Sequence, residues 1–158
     1  MKACVVPAIV LVLSGCATVP QTAAAPAEAT PRQIVAARQS AFHLMGAAMG
    51  NMRSAIERGA DPSGQAYAAR GVARWANALP GMFPESTAPI TPSRARPEIW
   101  GNKADFDAKA AALADAATRL VEAAQANDKA AFAAQHKATA ATCSACHDLY
   151  QVPQAPRS

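Results

Sequence analysis

Apolar residues recur at spacings of three and four along most of the chain, and each run is bounded by residues that start or stop a helix. The first run, Ile34, Ala41/Phe42, Met45, Met49, Met52 and Ile56, opens at Thr30-Pro31-Arg32-Gln33 and closes at Arg58-Gly59. Threonine at the cap, proline in the first turn and glutamine three residues after the cap together mark a helix start. A second run begins at Asp61-Pro62, passes through Tyr67, Val72, Trp75 and Leu79, and is stopped by Pro80. Residues 80–99 carry Pro80, Pro84, Pro89, Pro92 and Pro97 and read as a long connection. Gly101-Asn102 opens a third run with Phe106, Ala110, Leu113, Ala117 and Leu120. Asn127-Asp128 caps a fourth, which carries Phe132, His136, Thr139, Cys143, Cys146 and Tyr150. Four amphipathic helices, with short first and last connections, predict an all-α, antiparallel four-helix bundle.

Composition agrees and adds one constraint. Hydrophobic residues make up 51% of the 158, yet 43 residues are alanine, so only about a quarter of the chain is bulky and apolar. Alanine favours helix because it loses no side-chain entropy on coiling. β-branched runs of period two are absent beyond residue 13, which argues against a sheet. The net charge of +4 is small and its lysines and arginines are scattered, so nucleic acid is not an expected partner. Alanine on the inner faces leaves little bulk to fill the middle of a bundle. A large apolar cofactor would relieve that shortage.

The N-terminus reads as an address. Met1-Lys2 precedes an apolar stretch from Ala3 to Leu13, interrupted by Pro7 and too short to span a bilayer. It runs into Leu13-Ser14-Gly15-Cys16, which resembles the lipobox of bacterial lipoproteins and implies cleavage before Cys16 with lipid attached to that cysteine. An ordinary secretory signal is the alternative; both take the chain out of the cytoplasm and discard Cys4. Residues 16–31, rich in proline and alanine with Glu28 as the one charge, form a tether. The expected organisation is a signal peptide over 1–15, the tether over 16–31, the bundle over 32–152 and a tail over 153–158. The expected location is the periplasm, membrane-anchored through Cys16, and the lack of an aspartate after that cysteine points to the outer membrane.

The strongest motif is Cys143-Ser144-Ala145-Cys146-His147, the C-x-x-C-H of c-type haem attachment. On a helix the two cysteines lie one turn apart on one face, suited to thioether bonds with two haem vinyl groups. His147, four residues from Cys143, can turn its ring to the iron. A thioredoxin-like redox pair would need a βαβ context, and half a zinc site would need a fourth nearby ligand. Neither is evident. Haem attachment also accounts for every cysteine: Cys4 removed, Cys16 lipidated, Cys143 and Cys146 bonded to haem.

Beyond that motif the chain resembles the class II c-type cytochromes, cytochrome c′ in particular. The likeness covers about 32–151 and rests on four segments in order: Arg38-Gln39-Ser40-Ala41-Phe42 with Met45, Leu79-Pro80-Gly81-Met82-Phe83-Pro84, Arg96-Pro97-Glu98-Ile99-Trp100 before Phe106, and Cys143 through Tyr150. It implies a bundle carrying one covalent haem c, held by Cys143 and Cys146, with His147 as proximal ligand to the iron. It places Arg38 and Gln39 against the haem and its propionates, Arg96 among the cofactor-binding residues, and Phe42 on the distal side. An arginine on an apolar stripe needs an anionic partner, which a propionate would supply, or else snorkels to water. Phenylalanine cannot ligate, so the iron is expected to be five-coordinate and high-spin. A low-spin centre with a sixth ligand from His43, Met45 or Met49 is the alternative. Gln151 stands where many relatives have arginine after the tyrosine. His136, three turns before His147, reads as a surface or haem-edge histidine, and Phe83 and Trp100 as pocket or core aromatics.

Such a site would bind NO and CO, or carry electrons to an unidentified redox partner. Peroxidase-like catalysis would need a distal acid/base that Phe42 does not provide, so no enzymatic activity is expected. The resemblance also allows a homodimer.

Overall fold

A computed structural model describes residues 28–153. The expected signal peptide, the lipidation site Cys16, the tether up to residue 27 and the tail beyond Pro153 lie outside the described residues. Helix α1 spans Pro31–Glu57, α2 Ala66–Ala78, α3 the single turn Glu98–Gly101, α4 Lys103–Gln125 and α5 Lys129–Tyr150. The long helices form the antiparallel four-helix bundle that the apolar spacing predicts.

Local chemistry sets the boundaries. Thr30 and Gln33 form a reciprocal capping box, with Gln33 Oε1 accepting from the Thr30 amide at 2.8 Å and Thr30 Oγ1 accepting from the Gln33 amide at 3.3 Å. At the other end of α1 the Gly59 amide donates to the Ile56 carbonyl and the Ala60 amide to the Ala55 carbonyl. This paired closure needs a left-handed residue, and Gly59 supplies it at φ +66°. Helix α4 ends in the same way on Asn127, at φ 54°. Asp128 follows at once and caps α5, its carboxylate accepting from the Ala131 amide at 2.9 Å. That is why three residues suffice to reverse the chain between α4 and α5.

Two expectations need adjustment. The second helix does not begin at Asp61-Pro62: Pro62–Gln65 is a 3₁₀ turn, and the α-helix starts at Ala66. The Ser63-Gly64 pair has little helix preference, and the tighter turn steers the chain across the end of the bundle. The proline-rich connection expected over 80–99 also contains short helical turns. Residues 79–102 fold into 3₁₀ turns at Leu79–Met82 and Glu85–Thr87 before α3.

Helix α4 is the centre of the bundle, packing extensively on both α2 and α5, whereas α1 meets α5 along a short stretch. Ala110, Ala114, Ala116, Ala117, Ala123 and Ala124 are all buried on α4, which lets its neighbours approach closely. At one end the two tight turns are tied by the Ser63 amide donating to Asn127 Oδ1 and Lys129 Nζ donating to the Gly59 carbonyl at 2.8 Å. At the other end the connection is joined to the last turn of α5, where the Arg96 amide donates to the Tyr150 carbonyl and the Val152 amide to the Arg94 carbonyl. No helix among the described residues is long and apolar enough to cross a membrane.

Candidate functional site

The last two turns of α5 carry Cys143, Cys146 and His147. Both cysteines are free thiols, half-buried at the edge of the core and one turn apart on the same face. Burial pushes both thiols above the usual cysteine value; for Cys146 the charge of Lys109 pulls partly back. They are therefore uncharged near neutral pH. The His147 side chain is exposed; partial desolvation and then the nearby Arg94 guanidinium lower its pKa, with Asp148 acting in the opposite direction. Its imidazole is neutral at pH 7, with a lone pair to offer.

Across from this triplet lies α1. His136 Nε2 is 2.9 Å from the Met49 carbonyl, which fixes the antiparallel register of α1 against α5. Phe42 lies seven residues before Met49 and Cys143 seven after His136, so the two stand at the same level. Arg38 and Gln39 fall opposite Cys146 and His147 by the same register. The half-buried Phe42 ring is 6.4 Å from Phe83, which stacks edge-on against Phe106 at 4.8 Å, which in turn meets Tyr150 at 5.4 Å. Trp100 borders Phe83 at 6.2 Å and donates its indole N–H to the Phe83 and Pro84 carbonyls. Phe83 and Trp100 thus belong to a continuous aromatic wall running from α1 to α5. His43 is exposed, as one residue's rotation from Phe42 requires. Met45 is buried in the core and Met49 is half-buried beside it.

Arg38, Gln39 and Arg96 each make contacts within the chain. Arg38 is only 2% exposed, so it does not snorkel. Its guanidinium donates to the Thr87 hydroxyl at 2.9 Å, the Ser93 hydroxyl at 3.1 Å and the Met82 carbonyl at 3.3 Å, and lies 4.3 Å from the Phe83 ring centroid. Within the chain the buried cation is surrounded by neutral oxygens and an aromatic face, all supplied by the connection. Gln39 is exposed and donates to the Pro92 carbonyl at 3.0 Å. Arg96 is half-buried, and its backbone amide joins the connection to α5. His136 is half-buried and bridges α5 to α1 through the Met49 carbonyl.

Sequence spacing did not reveal four participants. Thr87 and Ser93 hold Arg38 and sit in a segment without periodicity. Arg94 donates to the Val152 carbonyl at 2.9 Å and to Gln151 Oε1 at 3.2 Å, which brings a cation one turn from His147. Asp105 accepts a 2.6 Å hydrogen bond from the Tyr150 hydroxyl. An arginine between prolines was a signal for Arg94; nothing marked Asp105 among the other acidic residues of α4.

Two protonated thiols a turn apart, a neutral imidazole on the next residue and an apolar aromatic wall at the same level suit haem c attached through thioether bonds. Fold and donor set together define a haem c protein on a four-helix bundle. Residues 33–151 match the family model described as Cytochrome C′. A cytochrome c′ of Pararhodospirillum photometricum is 34% identical over 125 residues, covering 78% of this chain and 99% of that one. Among solved structures, cytochrome c′ from Thermochromatium tepidum superposes with a TM-score of 0.75 at 27% identity, over 80% of this chain and 100% of that one. The nitric oxide complex of a mutant cytochrome c′ from Alcaligenes xylosoxidans gives 0.71 at 31% identity, over 79% and 98%. The chain belongs to the cytochrome c′ family, whose members carry a covalently bound haem c with its iron.

Proposed function

We propose that this protein binds NO and CO at a five-coordinate haem c and exchanges electrons through the same group. A haem held here would supply a redox-active iron able to bind a diatomic ligand. Cys143 and Cys146 would fasten the porphyrin to α5, and the neutral His147 imidazole would bind its iron. The observation that carries the reading is Phe42, level with Cys143 across the α1–α5 gap. Its ring can neither ligate nor donate a hydrogen bond, which favours NO and CO over dioxygen. The nitric oxide complex of the Alcaligenes xylosoxidans relative, at 31% identity, supports the NO assignment. A sixth ligand from Met45 would require that residue to leave the core, where it is 7% exposed.

Peroxidase chemistry does not fit. Arg38, one turn from Phe42, is engaged by Thr87, Ser93 and Met82 and holds its proton throughout the neutral range. In this reading the protein works in the periplasm, tethered through a lipid on Cys16, where it meets a redox partner or gas entering the envelope. The test is the visible spectrum in ferric and ferrous forms, before and after carbon monoxide. A broad high-spin ferrous band that sharpens with carbon monoxide supports the open site. Split low-spin bands that do not respond would replace it with a six-coordinate electron carrier.

A further inference from the structure

We infer that His136 is a positioning residue that sets the clearance between Phe42 and the haem face, and with it the rate at which diatomic ligands enter. The inference rests on the haem reading above. Helix α5 is held by α4 along its length, whereas α1 meets α5 only over a short stretch. Among the described residues, the bond from His136 Nε2 to the Met49 carbonyl is the one side-chain hydrogen bond joining α1 directly to α5. That carbonyl, inside a helix, already accepts the amide four residues on, so the imidazole takes its second lone pair.

At the other end of the gap, α1 and α5 are linked through the connection instead of to each other. Gln39 donates to the Pro92 carbonyl from the α1 side, and Arg94 donates to the Val152 carbonyl on the α5 side. The Phe42–Cys143 level therefore lies between two supports, about 10 Å along the axis from the His136 bond. Removing that bond frees α1 to move relative to α5 where Phe42 stands. His147, which would bind the iron, is on α5 and would keep its place.

The experiment compares holoprotein carrying His136→Ala and His136→Gln with the parent. Glutamine places an amide N–H near the position of Nε2 and should restore the bond. His136→Ala is expected to take up carbon monoxide faster by on the order of three- to tenfold, the factor that one lost hydrogen bond brings to a local opening. Amide exchange over residues 42–49 should accelerate in step, while α4 is unchanged, and His136→Gln should return both to the parent values. Unchanged carbon monoxide kinetics and exchange in His136→Ala would overturn the inference, as would a glutamine variant that behaves like alanine. A parent protein that takes no carbon monoxide would instead sink the open-site reading, and the exchange comparison would still decide the role of His136.

Discussion

The Tyr150 hydroxyl donates to Asp105 at 2.6 Å, joining the last residue of α5 to the first turns of α4 directly behind the attachment cysteines. Lys109 approaches the same carboxylate oxygen at 3.7 Å. Hydrogen bonding to Asp105, burial and the negative charge nearby raise the tyrosine pKa from 10 to about 12. The folded state favours the protonated hydroxyl, so the stabilisation is whole below pH 10 and fades as pH rises towards 12. Tyr150→Phe should cost about 1–2 kcal/mol in denaturant unfolding near neutral pH. The difference from the parent should shrink between pH 10 and 12; a constant difference would mean the hydrogen bond is not its source.

Arg38 holds the connection over the aromatic wall. Arg38→Met keeps much of the volume but leaves the Thr87 and Ser93 hydroxyls and the Met82 carbonyl without their donor. A loss of about 2–4 kcal/mol is expected, and Arg38→Lys, with one donor centre for three acceptors, should recover only part of it. Denaturant midpoints of the three proteins check this ordering.

At the site itself, His147→Ala should leave the haem covalently attached through Cys143 and Cys146 while abolishing the native iron spectrum. Phe42→Met should convert the centre to a low-spin six-coordinate form, since it puts a thioether where the aromatic ring stands. An unchanged spectrum in either variant would refute the axial assignment it tests.

Gly59, just past the end of α1, and Gly50 within it should respond with opposite signs. A Cβ on Gly59 meets nothing within 4 Å, but its φ of +66° strains any other residue, so Gly59→Ala should cost about 1 kcal/mol. Gly50 lies in the helix interior with equally open surroundings, and Gly50→Ala should raise stability by up to about 1 kcal/mol. Thermal unfolding of both variants measures the pair.

The helices were legible because their punctuation is local. Thr30 with Gln33, Arg58-Gly59 and Asn127-Asp128 perform in the structure the capping and turning that their identities suggest. The haem-attachment motif was legible because its chemistry is fixed by spacing within one turn. What stayed hidden was long-range. The acceptors of Arg38 come from residues 82–93, and the partner of His136 is a backbone carbonyl, which carries no sequence signal at all. The 3₁₀ entry to α2 was missed because proline after aspartate marks the start of either kind of helix.

Helix α4 buries six alanines beside its larger core residues Phe106, Leu113 and Leu120, and this sets where the protein can drift in sequence. A residue larger than alanine at Ala117 or Ala124, both fully buried, must push α2 or α5 outward, so these positions admit almost no variation. Phe42 on α1 is only half-buried and has more latitude. The tightest limits on sequence drift therefore fall on α4, away from Phe42, which stands level with the attachment cysteines.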